Sequence, residues 1–244
     1  YLCMIFFVLL TSCSWFETRE DKTAEELRVE GLEEYEKGNY QKAIDAFEDL
    51  KDWYPFSKYA PLAELKIADA YYQMEEYEDA VFAYEEFENL HPRNEKTPYA
   101  VYQIAKCYYI QVDTVDRDQT PAQKALDTYN RFIKYYPDSE FVPQSIEERD
   151  QCIKSLAGNE LYVALFYYKA GHYKAALHRF QSLISDYPDV GMHKQALEYI
   201  IQCEEALKKR DAEEKSGPEK KPVKETIIYS SIPESNQFSG SGLN

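Results

Sequence analysis

Small, aromatic and proline positions recur along the chain in a fixed order. At four places in the chain an alanine is followed four residues later by an aromatic residue and twelve residues later by a proline. Residues four apart lie on one face of a helix, and proline ends a helix because it lacks a backbone N–H. The pattern predicts helix pairs in which the second helix ends near the proline. The frame occurs four times, at Ala43-Phe47-Pro55, Ala80-Tyr84-Pro92, Ala125-Tyr129-Pro137 and Ala176-Phe180-Pro188.

Helix–turn–helix units with this spacing resemble the tetratricopeptide repeat. Gly38 and Gly171 fall between the two helices of their units, where a left-handed turn is needed. Thr23 and Glu26 form a capping box that opens the first helix. The sequence therefore predicts an all-α tetratricopeptide-repeat solenoid of about five helix–turn–helix units, covering residues 23–215.

Two repeats are longer than the ideal unit. A polar stretch, Asp113–Pro121, is predicted to be a loop inserted between the two helices of the third repeat. The fourth repeat opens with a long helical run, about Pro143–Ala170, in which Gly158 allows a kink. A single helical pattern at about Gly191–Lys215 is predicted to cap the array.

The amino-terminal residues have the features of a targeting segment. Leu2–Leu10 is an apolar run of nine residues, far shorter than the roughly 20 that span a bilayer, and it has the length of a signal-peptide core. The following Leu-Thr-Ser-Cys13 looks like a bacterial lipobox, in which Cys13 accepts the lipid. We therefore expect part of a lipoprotein signal peptide at 1–12 and a lipidated tether at 13–22. A buried hydrophobic helix with an incidental cysteine is the alternative.

Ser14 follows the lipobox cysteine, where an aspartate would resemble an inner-membrane retention signal, so the sequence favours the outer membrane. Residues 216–244 are rich in Pro, Ser and Gly and are expected to form a disordered tail. Within this tail, Ile227–Tyr229 is a small apolar island. It either docks on a partner or is a neutral part of the linker.

Charge and motifs narrow the classes of function. The net charge of −16 repels phosphates and anionic lipid headgroups, which argues against nucleic-acid and electrostatic membrane binding. The sequence contains no Gly-rich phosphate loop, HExxH motif or clustered histidines. We predict no catalytic residues, metal site or cofactor, with an active site assembled in space as the alternative. Cys107, Cys152 and Cys203 are interpreted as small buried helix residues, and one disulfide between them stays open.

Tyrosines end the first helix of every repeat. Neighbouring residues point about 100° apart on a helix, so one member of each pair is expected in the core and the other in a groove that binds peptide. The alternative is that all of them fill the core. The aromatic segment Trp53–Tyr59 is expected to wall one end of the groove. The tyrosines are Tyr35, Tyr71–Tyr72, Tyr108–Tyr109 and Tyr167–Tyr168.

The order of these elements resembles the BamD family (also called ComL or YfiO) of outer-membrane assembly lipoproteins, over about Leu10–Leu207. The resemblance is carried by the lipobox, the short tether and the long helix, and by the stretches GNYQKAIDAFEDL, WYPFSKYAPLAELKIADAYY, VDRDQTPAQKALDTYNRFIKYYPDSEF and GHYKAALHRF. The excess of acidic over basic residues and the expected disordered tail at residues 216–244 depart from the family pattern. A repeat lipoprotein serving pilus or cell-envelope assembly is the competing interpretation.

The resemblance implies a non-enzymatic scaffold of the β-barrel assembly machinery at the periplasmic face of the outer membrane. It implies that BamA, with other subunits of the complex, binds the carboxy-terminal repeats and that unfolded outer-membrane proteins bind the amino-terminal repeats. Carried onto this chain, Arg179 is the candidate contact to BamA. The candidate client-binding residues are Tyr35, Phe56, Tyr59, Tyr72 and Tyr109.

Overall fold

The computed structural model describes residues 22–216, and every regular element in that range is a helix. Each helix packs against the helix before it and the helix after it, as in a solenoid. Four complete pairs are followed by one single helix, which confirms the predicted all-α tetratricopeptide fold. The helices are α1 (Ala24–Glu36), α2 (Tyr40–Trp53), α3 (Ala60–Gln73), α4 (Tyr77–Leu90), α5 (Thr97–Ile110), α6 (Thr120–Tyr135), α7 (Val142–Lys169), α8 (Tyr173–Asp186) and α9 (His193–Ser216).

Small residues let the two helices of each pair approach closely. The frame alanines of α2, α4, α6 and α8 and the aromatic residues that follow them are all buried. The facing first helices also carry a small buried residue, and a Cβ on Gly31 would lie only 2.6 Å from the Phe47 ring. Burying a large apolar side chain contributes roughly 1.5–3 kcal/mol. The small residues of the first helices are Gly31, Ala68, Ala105 and Ala164.

The predicted turn and cap signals lie at the helix boundaries. Gly38 and Gly171 have φ of 77° and 75°, the left-handed region that glycine enters without a Cβ clash. Glu75 holds the equivalent turn of the second repeat at φ 62°. The capping box of Thr23 and Glu26 is formed, with the Glu26 amide donating to the Thr23 hydroxyl at 3.3 Å.

Helix α7 is continuous over 28 residues, about 42 Å, and has no break at Gly158. The inserted loop between α5 and α6 explains this glycine, because a Cβ on Gly158 would lie 2.8 Å from Cγ1 of Val115. The Asn159 side-chain amide donates to the Val115 carbonyl at 2.6 Å, and the Ser155 hydroxyl donates to the Gln119 side-chain oxygen at 2.9 Å. Gly158 therefore provides space for the inserted loop and does not kink the helix.

Within residues 22–216 no helix is both long and apolar enough to cross a membrane. Cys107, Cys152 and Cys203 are buried and free. Burial raises the pKa of the Cys107 and Cys152 thiols to about 12, so both are protonated at neutral pH. Cys13, the tether to residue 21 and the tail from residue 217 lie outside the described residues.

Candidate protein-binding groove

A groove of about 1070 Å³ runs along the first helices of the second and third repeats. Prolines at the starts of α3 and α5 and the turn between α6 and α7 form much of its wall, so three consecutive repeats contribute to one concavity. Ten of the 19 lining residues are apolar or aromatic and seven are charged, so the wall joins apolar surface with charged groups. Residues in the wall include Pro61, Leu62, Leu65, Pro98, Tyr99, Tyr135, Pro137 and Phe141.

A buried carboxylate lies in the wall of this groove. Asp69 of α3 is only 5% exposed. Its Oδ1 accepts hydrogen bonds from the hydroxyls of Tyr84 at 2.7 Å and Tyr99 at 2.9 Å, while its Oδ2 accepts one from Lys66 at 2.8 Å. Burial, followed by the Asp69 charge, raises the pKa of Tyr84 well above its usual value. Three donors thus compensate the buried charge, and the contact joins α3, α4 and α5.

A second network of the same kind occurs at the next junction. Glu148 of α7 is 7% exposed. Its Oε2 accepts from the Tyr129 hydroxyl at 2.6 Å, and its Oε1 accepts from Lys106 at 2.8 Å and from the Gln144 amide at 3.0 Å. The ring of Tyr102 stacks on Phe141 with centroids 4.7 Å apart. Helices α5, α6 and α7 are therefore tied together behind the groove.

Cationic side chains reach the groove over tyrosine rings. The Lys66 ammonium lies 4.7 Å from the ring centre of Tyr35, and the Lys58 ammonium lies 4.8 Å from that of Tyr59. Both lysines line the groove together with Lys96, and Glu95, Asp138 and Glu140 line it as well. A cation over an aromatic face gains about 0.5–1 kcal/mol at an exposed site. The groove thus offers both signs of charge beside apolar surface.

The five predicted client-binding residues occupy different environments. Tyr35 and Tyr59 are half-buried and support the two groove lysines, and burial with the Asp69 charge raises the pKa of Tyr35 to about 12. Phe56, in the turn that also carries Lys58, is fully exposed. Tyr72 packs edge-on against Tyr77, and Tyr109 packs edge-on against Tyr129. None of the five is among the residues that line the groove. Tyr35 and Tyr59 adjoin it through the lysines Lys66 and Lys58, and Tyr109 lines a separate hollow beside the inserted loop.

The comparisons with known proteins match this architecture along nearly the whole described chain. The sequence profile of the family YfiO, described as outer membrane lipoprotein, matches residues 20–219. The chain belongs to the YfiO family. The match spans every helix from α1 to α9.

Relatives of this YfiO-family chain carry the name outer membrane protein assembly factor BamD. The protein of Neisseria meningitidis serogroup A is 28% identical, over 73% of this chain and 70% of its own length. The protein of Vibrio cholerae is 26% identical, over 80% of this chain and 86% of its own length. Among solved structures, the TPR2AB-domain:pHSP90 complex of yeast Sti1 aligns at a TM-score of 0.46 and 15% identity, over 79% of this chain and 77% of that chain.

Arg179 of this YfiO-family chain lies on α8, far along the chain from the groove. Its Nη1 donates to both carboxylate oxygens of Glu160 on α7, at 2.9 and 3.2 Å. The Arg179 side chain is 43% exposed, so part of the guanidinium reaches solvent. This placement makes Arg179 a bridge between α7 and α8 as well as a surface cation.

The two carboxylate networks were not among the sequence predictions. One signal for them exists in the frame, because its aromatic residue is Tyr84 or Tyr129 in the second and third repeats and phenylalanine in the first and fourth. A buried tyrosine needs a partner for its hydroxyl. Across residues 22–216 of this family member, no three His, Cys, Asp or Glu side chains are grouped closely enough to hold a metal ion.

Proposed function

We propose that this chain is a non-enzymatic scaffold lipoprotein of the outer-membrane β-barrel assembly machinery. A lipid on Cys13 would hold it at the periplasmic face of the outer membrane. The family match over residues 20–219, with relatives named as assembly factors, is the observation that carries the proposal. A repeat solenoid binds through a preformed surface, so this function needs neither a cofactor nor a catalytic residue.

The carboxy-terminal repeats would bind BamA through Arg179. A guanidinium carries five N–H donors, and Glu160 takes only those of Nη1. The other edge is available to a carboxylate of the partner, and an arginine–carboxylate pair at an interface is often bidentate. Glu160 fixes the side chain in place beforehand, which lowers the entropic cost of forming that second contact.

The test is co-purification from detergent-solubilised membranes. The wild-type chain should recover BamA and other subunits, and Arg179→Glu should lower BamA recovery by about tenfold or more, since losing a charged interface contact costs 2 kcal/mol or more. Recovery of pilus or peptidoglycan proteins in place of BamA would contradict the proposal. Lys42→Glu, an exposed charge reversal on α2, is the matched control and should leave BamA recovery unchanged.

A second variant separates contact from folding. Arg179→Glu also places two carboxylates together at Glu160, which destabilises the α7–α8 pair. The exchange Arg179→Glu with Glu160→Arg restores that ion pair while moving the guanidinium to α7. If BamA contacts Arg179 itself, the exchanged chain should still fail to recover BamA, because its guanidinium now lies on α7. If BamA recovery returns fully, the role of Arg179 as a BamA contact is wrong.

The amino-terminal groove would receive an extended carboxy-terminal segment of an unfolded outer-membrane protein. Its apolar wall suits the aromatic and aliphatic side chains of such a segment, and Lys58, Lys66 and Lys96 suit its terminal carboxylate. Phe56 is fully exposed and precedes the groove-lining Lys58 by two residues. An exposed aromatic beside an apolar groove is a common anchor for a bound peptide.

Fluorescence anisotropy with a labelled peptide from the end of an outer-membrane β-barrel protein tests this groove. Phe56→Ser should weaken binding by about five- to tenfold, because truncating an aromatic anchor costs roughly 1–2 kcal/mol. Phe82→Ser, which removes another exposed phenylalanine, on α4, is the control and should bind as the wild type does. Equal affinities for all three proteins would exclude Phe56 from the client site.

A further inference from the structure

Helix α9 ends the described solenoid with one apolar face open. Ala196 and Cys203 are fully buried, and with Ile200 they pack against the core of the fourth repeat. Leu197 and Ile201 lie one turn apart on the neighbouring face and are 52% and 58% exposed. In a complete repeat this face is covered by the second helix of the same pair. In the described chain α9 has no such second helix.

The register of α9 follows from its buried residues. In α5, Ala100, Ile104 and Cys107 pack on the preceding repeat, and Ala105 packs on α6. The same spacing in α9 gives Ala196, Ile200 and Cys203 toward α8, as the structure has them. Ile201 therefore holds the position of Ala105.

That position is small in every complete repeat: Gly31, Ala68, Ala105 and Ala164. The reason is the close approach of the second helix, which in the first repeat would leave a Cβ on Gly31 only 2.6 Å from the Phe47 ring. A branched isoleucine fills this space. The open face of α9 therefore does not suit a closely packed second helix. It suits an extended segment, which is thinner than a helix and can place apolar side chains beside Leu197 and Ile201.

We propose that residues 226–232 of this chain, Thr-Ile-Ile-Tyr-Ser-Ser-Ile, cover the open face of α9. Gly217 and Pro218 directly follow α9, and a proline there ends the helix and lets the chain reverse. Residues 217–226 span up to about 33 Å when extended, whereas Ile201 lies only about 22 Å along the helix from Ser216. The segment is rich in isoleucine, whose branched Cβ favours an extended backbone.

Charge supports the same occupant. The linker that precedes the apolar segment carries three lysines, Lys220, Lys221 and Lys224, against two glutamates, Glu219 and Glu225. Exposed carboxylates flank the open face of α9, at Glu198, Glu204 and Glu205. A terminal repeat also needs a polar outer surface to stay soluble, and Ser230 and Ser231 would provide one over Leu197 and Ile201.

Photocrosslinking from the open face tests the proposal in the full chain. Ile201 is replaced by the photoreactive amino acid benzoylphenylalanine, and the adducts are mapped by mass spectrometry. We expect adducts within residues 226–232 whose yield is unchanged by tenfold dilution. The double substitution Ile227→Asp with Ile228→Asp should reduce that yield at least about fivefold, because carboxylates are costly to place against an apolar face. Benzoylphenylalanine at Phe56 is the matched control and should give no adduct in this segment.

Three results would overturn the proposal: adducts to a second copy that disappear on dilution, adducts to another envelope protein, or no adduct in residues 226–232. Circular dichroism of each variant checks that the helices are intact. The outcome does not depend on BamA or client binding, so it can fail while the proposed function holds.

Discussion

The outer and inner repeats solve the same packing problem with side chains that differ by one oxygen atom. Phe47 and Phe180 in the first and fourth repeats, and Tyr84 and Tyr129 in the second and third, occupy one frame position and are all fully buried. The outer rings carry no polar atom, and Phe180 stacks on Tyr199 with ring centroids 5.3 Å apart. The inner rings pack equally well but carry a hydroxyl that needs an acceptor.

That hydroxyl is bonded to a carboxylate in both inner repeats, Asp69 for Tyr84 and Glu148 for Tyr129. Each carboxylate also accepts a hydrogen bond from a lysine, Lys66 for Asp69 and Lys106 for Glu148. The frame phenylalanines of the outer repeats, Phe47 and Phe180, carry no hydroxyl and need no such acceptor. The difference teaches that one core position decides whether a repeat needs a buried acceptor for a hydroxyl, and in the second repeat that acceptor, Asp69, lines the groove.

The largest expected effect comes from giving an outer repeat the inner residue. Phe47→Tyr adds a hydroxyl to a ring that already lies against Gly31, with no acceptor provided for it. We expect a loss of about 2–3 kcal/mol in the free energy of unfolding, from overpacking and an unsatisfied polar group. Urea unfolding followed by circular dichroism measures it.

The reverse change completes the exchange. Tyr84→Phe removes one hydrogen bond to Asp69 and leaves those of Tyr99 and Lys66, so about 1.5–2 kcal/mol should be lost, less than for Phe47→Tyr. If Phe47→Tyr proves neutral, the two kinds of repeat are interchangeable and the contrast between them has no energetic basis.

Alkaline pH should weaken the inner repeats selectively. Burial, followed by the Asp69 charge for Tyr84 and by the hydrogen bond to Glu148 for Tyr129, raises the pKa of both tyrosines above the usual 10. A raised pKa means that the folded state holds the proton more tightly, so their contribution is complete below pH 10 and falls as pH rises above it. Each such tyrosine costs about 1.4 kcal/mol per pH unit.

Urea unfolding of the wild type and of the double variant Tyr84→Phe with Tyr129→Phe, at pH values from 9 to 11.5, checks the prediction. The double variant should show the shallower decline, because phenylalanine does not titrate. Parallel declines would mean that other groups govern alkaline unfolding.

The smallest expected effect concerns the turn between the two helices of a repeat, which also differs between the outer repeats and the second repeat. Gly38 and Gly171 form the left-handed turns of the outer repeats, whereas Glu75 adopts φ 62° in the second. The left-handed region costs a non-glycine residue about 1–2 kcal/mol. A glycine avoids this cost, but its greater conformational freedom in the unfolded chain offsets part of the gain in stability. Glu75→Gly should therefore stabilise the chain by about 0.5–1 kcal/mol in thermal unfolding. Gly38→Glu is the inverse control and should destabilise it.

Local signals were enough to predict the helices. The frame prolines, the capping box at Thr23 and the glycine turns act within a few residues, so they appear in the sequence as fixed spacings. The partners of buried groups are set by how repeats stack. Tyr99 lies 30 residues from Asp69, and Lys106 lies 42 residues from Glu148. No periodic sequence pattern indicates contacts between residues so far apart in the chain, and the two carboxylate networks were missed for that reason.

The same limit applies to Gly158 and to the tyrosine pairs. Helix propensity indicated a weak point at Gly158, but its role depends on Val115 in a loop of the preceding repeat. The prediction that one tyrosine of each pair points into the core and the other into the groove was too simple. Tyr71, Tyr72, Tyr108 and Tyr109 are all half-buried, because adjacent repeats cover both sides of the helix end.

Helix α7 belongs to two repeats at once. Its first half packs on α6 and its second half on α8, and the inserted loop holds its middle through Val115 and Asn159. The groove and the α8 surface with Arg179 are therefore both supported by α7. Phe141 at the start of α7 lines the groove and Glu160 in its second half binds Arg179, so one continuous helix sets the separation of the two surfaces.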